Sequence, residues 1–316
     1  MKRLLSLLAS LFPHNPSDHL PLVRTGQGAF TRDLWPHDLE GPRPMTFTTD
    51  VDLRKIIREP SDTYYARAKE HLSSHALGDF RRCPALYRKK QLGLIPRKDS
   101  DAFVVGRAAH VLILEGRGRF EAEFAVGGPV NPKTGLPYGS GTKAFAEWAE
   151  RLGKPALSDA DAALIEEMSA SVRGHAIASS LLEDGVAEGV VRAEYAGHAC
   201  QARIDWINPS GGAGIVDLKT CDRMDSFELD ARAFGYLHQL AFYRAVLEAA
   251  TGAELPVHIV AVEKREPYRT GCWHVAPAVL DAARRENEAA MAELIRCRES
   301  DTWPTGFESM RQFDRS

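Results

Sequence analysis

Residues 201–220 read Gln-Ala-Arg-Ile-Asp-Trp-Ile-Asn-Pro-Ser-Gly-Gly-Ala-Gly-Ile-Val-Asp-Leu-Lys-Thr. Two runs of β-type residues, each carrying an aspartate, flank a loop rich in turn formers, so the runs are expected to pair as a hairpin. Side chains alternate along a strand, which puts Asp217 and Lys219 on one face and sends Val216 and Leu218 into a core on the other. By the same count Gln201, Arg203 and Asp205 share one face of the preceding strand. Pairing then brings Asp205 close to Asp217, with Lys219 beside them. Two adjacent carboxylates repel, and each is driven toward its neutral form unless a cation sits between them. Hard oxygen ligands of this kind suit Mg²⁺ or Mn²⁺. The expectation is a metal-dependent phosphodiesterase site.

Outward from this stretch, the chain predicts helices on both sides of a sheet. Upstream, 75–92 alternates apolar and basic residues at helical spacing, with Pro84 dividing it into two helices. A third helix is expected over 103–115, a long Pro/Gly loop over 126–142, and helices over 143–152 and 158–182, the latter capped by Ser158. Strands are expected over 190–196, 199–207 and 214–220, with a tight turn at Gly197-His198 making a meander. A long helix over 226–250, strands over 256–263 and 271–275, and a last helix opened by Pro277 and ending near Arg298 complete the reading. The fold class is α/β, a mixed central sheet flanked by helices. Residues 1–60 read as an irregular extension, 61–308 as one domain and 309–316 as a tail.

Composition narrows the function classes. With 316 residues, 44% hydrophobic and 26% charged, the chain matches an ordinary globular protein. A net charge of −3 provides no global basic field, so contact with nucleic acid would need a local patch. The five cysteines (Cys83, Cys200, Cys221, Cys272, Cys297) form no Cys-x-x-Cys pair. They read as reduced thiols of a cytoplasmic protein, not as a zinc knuckle or a disulfide framework. Met1-Lys2-Arg3 and the apolar run Leu4 to Phe12 imitate a signal peptide, but no convincing small-x-small cleavage site precedes Pro13, so a short amphipathic or frayed helix is expected. No stretch reaches the roughly 18 apolar residues that a membrane span needs. Gly211-Gly-Ala-Gly lies within the hairpin loop and is no dinucleotide fingerprint. His198, Cys200 and Cys221 have irregular spacing and no fourth partner for zinc.

Asp205, eleven residues, then Asp217-Leu218-Lys219 resembles the signature of the PD-(D/E)xK nuclease superfamily. More narrowly, Ala202-Arg-Ile-Asp-Trp206 followed by Val216-Asp-Leu-Lys-Thr220 is similar to the exodeoxyribonuclease VIII (RecE) type and its phage relatives. The resemblance spans about residues 64–306 and implies a restriction-endonuclease-like core. In such nucleases a helical Gly-x-x-x-His supplies an imidazole metal ligand. Here that is Gly106 to His110, which by itself would read as a core histidine. The resemblance also implies a functional glutamate at Glu194, whose bland alternative is a solvated strand residue. Tyr236, Gln239 and Tyr243 match a Tyr-x-x-Gln-x-x-x-Tyr element that lines the cleft near the DNA backbone. Arg232 joins them on one helical stripe. Phe80 to Pro84 and Tyr87 match an opening helix whose role is mainly packing. An iron–sulfur cluster of related nucleases is not expected, because Cys297 alone stands near the C-terminal end.

The implied function is a Mg²⁺- or Mn²⁺-dependent exodeoxyribonuclease. His110, Asp205 and Asp217 would hold the metal, with the Leu218 carbonyl as a further oxygen. Lys219 would orient or deprotonate the attacking water or neutralise developing charge, and Glu194 and Gln239 would position water and phosphate. The family further implies 5′→3′ digestion of duplex DNA ends by a ring-shaped oligomer in phage-type recombination, with a single-strand annealing protein as a possible partner. The basic run Arg81 to Lys90, with Arg97 and Lys98, either reaches phosphates or is a solvated helix face. The alternatives are a non-catalytic nucleic-acid-binding module, an endonuclease on the same fold, and a zinc hydrolase of small substrates.

Overall fold

The structure, a computed structural model, describes residues 52–95, 101–208 and 212–312. Most of the expected N-terminal extension, its apolar run, Arg97, Lys98, the tip of the hairpin loop and the last four residues lie outside these.

The chain enters through a 3₁₀ turn, Leu53–Lys55, and then α1 (Ser61–Ala66). Residues 52–60, within the expected irregular extension, touch the sheet at one point: Ile57 exchanges both backbone hydrogen bonds with Val190 at 2.9 Å. The expected pair of helices forms as α2 (Ser74–Arg82) and α3 (Pro84–Gln91). Cys83 breaks them with extended backbone. Its Sγ accepts from the Leu86 N–H, while Pro84, lacking an N–H, fills the first helical position. Phe80 and Tyr87 meet edge to face at 5.5 Å in the core, the packing role expected of them.

Next comes α4 (Asp101–His110), which widens immediately into a π turn, Val111–Glu115. The helix expected over 103–115 is thus α-helical only as far as His110. After α5 (Arg117–Glu123), the Pro/Gly loop leaves from the short strand β1 (Ala125–Val126). α6 (Lys143–Leu152) follows, and β2 (Ala156–Leu157) pairs parallel with β1. Ser158 caps α7 (Asp159–Gly174) by accepting from the Asp161 N–H at 3.1 Å. His175 interrupts the expected long helix and caps α8 (Ala176–Leu181).

The main sheet has five strands in chain order: β3 (Val186–Tyr195), β4 (His198–Asn208), β5 (Gly214–Cys221), β6 (Val257–Glu263) and β7 (Thr270–His274). All neighbours are antiparallel except β5 and β6, so the sheet is mixed as expected. The β3–β4 turn is Ala196-Gly197, both in the left-handed region (φ 47 and 76). That is one residue earlier than the Gly197-His198 step, and Tyr195 pairs with His198.

The helix expected over 226–250 is broken at Gly235 (φ 76) into α9 (Phe227–Ala233) and α10 (Tyr236–Thr251). α11 (Pro277–Ser300) begins with Pro277 as expected and closes the domain. Val216 and Leu218 sit with Ala108, Ala109, Ile165, Met168 and Val172 in one apolar cluster. Ile215, Val257, Ile259 and Ala261 join α10 and α11 residues in another. The sheet therefore has a core on each face. Most of the basic run is committed to the fold: Arg81 meets His238 and Glu286, Lys90 meets Asp79 at 2.7 Å, and Arg88 lies over Trp303.

Gly214 opens β5 at φ 64, and a Cβ there would lie 2.2 Å from the Pro256 carbonyl oxygen. Gly214→Ala is expected to destabilise the protein by at least about 1–3 kcal/mol, read as a lowered midpoint in urea unfolding followed by circular dichroism.

Candidate metal centre and active site

The site forms where β4 and β5 part. Their ladder runs Asn208↔Gly214, Ile207↔Ile215, Trp206↔Val216 and goes no further. Beyond it, the Leu218 N–H donates to Asp205 Oδ2 at 2.9 Å. The hairpin does bring the two aspartates together, and their charges oppose each other.

Asp217 is fully buried at the middle of the sheet. Its carboxylate forms an ion pair with the Lys219 ammonium, which projects from the same face two residues on. Burial pushes the Asp217 carboxyl above its usual range, against the pull of Lys219. For Lys219, burial works against the charge, but the Asp217 and Asp205 carboxylates outweigh it and hold the ammonium protonated. The face of Tyr236 covers that ammonium at 4.8 Å, a cation–π contact.

His110 reaches the site from the last turn of α4, its Nδ1 3.5 Å from Asp205 Oδ2. The fully buried Ala108 and Ala109 let α4 lie close to the sheet. Burial, then the Lys219 charge, lowers the imidazole to about 4. It is neutral at physiological pH, as a metal ligand must be.

The third acidic group is Glu188, which the sequence reading did not single out. It lies opposite Asp205 in β3, between the pairs Ala187↔Trp206 and Gly189↔Ile204. Ligand atoms of His110, Glu188 and Asp205 all lie within 4.8 Å of one another. Burial and the Asp205 charge push Glu188 up to about 8, although the Arg203 guanidinium sits 2.6 Å from its carboxylate. The backbone at Glu188 has φ 54, a left-handed conformation that costs a non-glycine residue energy.

Glu194 does not join this cluster. It is exposed near the β3–β4 turn, opposite Ala199. Six residues along a strand, at about 3.3 Å each, separate it from Glu188. It is the solvated strand residue that its position alone would suggest.

Gln239 and Tyr243 are joined by a 2.7 Å hydrogen bond, and the buried Tyr243 hydroxyl is pushed well above its usual range by burial, with Asp205 and Asp217 contributing. Tyr236 opens α10. Arg232 stands on α9, beyond the Gly235 break, exposed, its guanidinium hydrogen-bonded to the Glu228 carbonyl. The single stripe expected for these four residues is therefore split over two helices. His198 is a core residue, hydrogen-bonded to the Met291 carbonyl at 2.9 Å.

The donors fit a hard divalent ion. Two carboxylates and a neutral imidazole converge, and beside them Asp217 has no hydrogen-bond partner other than Lys219 among the described residues.

A mixed sheet flanked by helices, with Asp205 and Asp-x-Lys on adjoining strands, is the PD-(D/E)xK architecture. The chain belongs to the family described as a PDDEXK-like domain of unknown function (DUF3799), which matches residues 73–314. It is similar in fold to a crystal structure from Eubacterium rectale described as a "Putative exonuclease". The TM-score is 0.59 at 19% identity, covering 82% of this chain and 97% of that one. No curated protein matches the chain. Family and fold together support a nuclease.

In the metal-free protein Glu188 keeps its proton to a higher pH than in the unfolded chain. This contribution to stability is fully present below the ordinary carboxylate range and is lost as pH rises toward 8. Melting temperature is expected to fall between pH 5 and pH 8 in EDTA, and Glu188→Gln to flatten that slope.

Proposed function

We propose that the protein is a Mg²⁺- or Mn²⁺-dependent deoxyribonuclease acting on DNA ends. The observation that carries this reading is the buried Asp217–Lys219 pair set against the converging ligands His110, Glu188 and Asp205. These three would hold the ion, with Asp217 adjoining. A divalent ion there supplies Lewis acidity toward the phosphodiester and positive charge for its transition state.

The remaining steps belong to side chains. Lys219, protonated and fixed by Asp217 and Tyr236, orients the attacking water and neutralises charge that develops on the phosphate oxygens. This favours orientation and charge neutralisation over proton abstraction among the roles expected of Lys219. Gln239, held by Tyr243, offers its amide toward the scissile phosphate. Arg203 holds Glu188 in place, and its other arm bonds the Ser61 hydroxyl at 2.7 Å.

The family resemblance extends the proposal to 5′→3′ digestion of duplex ends in phage-type recombination, by a ring-shaped oligomer working with an annealing protein in the cytoplasm. No described helix is long and apolar enough to cross a membrane.

Digestion of linear and closed-circular duplex DNA with Mg²⁺, Mn²⁺ or EDTA tests the core of the proposal. Metal-dependent loss of the linear form alone, abolished in Asp217→Ala, is expected; nicking of circles would make the protein an endonuclease. Lys219→Ala should lower kcat by about 10²–10³-fold while Mn²⁺ still binds by calorimetry.

Glu188→Ala, in contrast to Glu194→Ala, should weaken Mn²⁺ binding by at least about tenfold. Equal effects of the two variants would remove Glu188 from the ligand set. Binding at pH 7 should also release protons, detected as a dependence of the measured heat on buffer ionisation enthalpy.

A further inference from the structure

The α9–α10 elbow places an aromatic ring in solvent beside the catalytic lysine. Phe234, between the end of α9 and Gly235, is 64% exposed, and Leu229 on α9 is 70% exposed. Single exposed apolar side chains are ordinary on a protein surface. Phe234 differs in what stands behind it. Its ring lies 5.9 Å from that of Tyr236. Tyr236 in turn lies 6.4 Å from the buried Phe227, which packs at 4.6 Å on Trp273. Trp273 is pinned by its indole N–H to Glu228. The exposed ring is thus the outer member of a row of four, anchored in the core.

The same row touches the chemistry, because Tyr236 covers the Lys219 ammonium. From that ammonium through Tyr236 to Phe234 is no more than about three base steps of stacked DNA, at about 3.4 Å each. Arg232 stands two residues before Phe234, its guanidinium with no ion pair among the described residues and only the Glu228 carbonyl as hydrogen-bond partner. A flat apolar face for a base therefore stands near the lysine expected to act on the scissile phosphate, with an exposed cation for a phosphate two residues away along the chain. Paired bases inside a duplex present no free face, so the ring suits a base that is already unstacked.

We infer that Phe234 is a stacking platform for an unpaired base next to the scissile phosphate, with Arg232 on the neighbouring backbone. The preferred substrate is then a DNA end with a single-stranded or frayed tail. This inference rests on the nuclease reading.

Binding and cleavage are measured separately, on the full chain. Fluorescein-labelled duplexes, blunt or with a short unpaired tail at either end, are titrated in Ca²⁺ and followed by anisotropy. Phe234→Ala is expected to bind tailed DNA roughly 5- to 150-fold more weakly, with a much smaller change for blunt DNA, and Phe234→Trp to restore binding. A tail carrying 5-iodouracil should photocrosslink to the peptide containing Phe234. Because the ring is exposed, its truncation leaves the core intact, and an unchanged melting curve checks this.

Equal affinities of wild type and Phe234→Ala for tailed DNA, or crosslinks only elsewhere, overturn the inference. If wild type binds tailed DNA through Phe234 but cuts none with Mg²⁺ or Mn²⁺, the stacking contact stands, while the nuclease reading and the place beside a scissile phosphate fall. If wild type binds no DNA, both fall.

Discussion

Placing a carboxylate at the centre of a sheet is the constraint around which this protein is arranged. Asp217 has no exposure, and a buried charge without compensation costs several kcal/mol. Its compensation is Lys219 on the same strand and face, and that ammonium needs a lid of its own, provided by Tyr236. The opposite face, Val216 and Leu218, is tied into the apolar cluster under α4 and α7. β5 therefore cannot shift its register without exposing one set and burying the wrong charges in the other. The precision of the site follows from that conflict. Even the parting of β4 from β5 serves it, because the Asp205 carboxylate takes a backbone N–H donor from the very strand that carries Asp217 and Lys219.

Much of this was legible in the sequence, because it depends on local signals. Alternation in 214–220 placed Asp217 and Lys219 on one face. Pro84 and Pro277 marked helix starts through a missing donor, and Ser158 marked another through its hydroxyl. The α/β class and the mixed sheet followed from the order of elements. The breaks were harder to read. Gly235 looks like a tolerated glycine within a helical pattern, but its left-handed backbone separates α9 from α10, whose Phe227 and Tyr236 rings lie 6.4 Å apart. The π turn after His110 has no sequence signature in Val-Leu-Ile-Leu-Glu.

Glu188 shows how a small error hides a candidate ligand. A turn at Gly197-His198 would pair Ala196 with Ala199, and counting back from there sets Val190 opposite Asp205. The actual turn at Ala196-Gly197 moves the register by two and sets Glu188 there instead. Ala196 has a Cβ and is an unfavourable choice for positive φ, so sequence preference pointed away from it. The tempting glutamate, Glu194, has the right residue type at the wrong end of the strand.

The one parallel pairing in the sheet has a consequence for how the protein is made. β5 acquires β6 only after the chain has passed through α9 and α10, since parallel neighbours cannot be joined by a tight turn. Between completion of residue 221 and residue 263, roughly two to eight seconds pass at about 5–20 residues per second. Until β6 is made β5 lacks one of its two neighbours, and an Asp217–Lys219 pair still open to water is weak. A growing chain thus carries its acidic motif for some time before it has the whole sheet around it. The surroundings of Asp217 are among the last parts of the sheet to be completed.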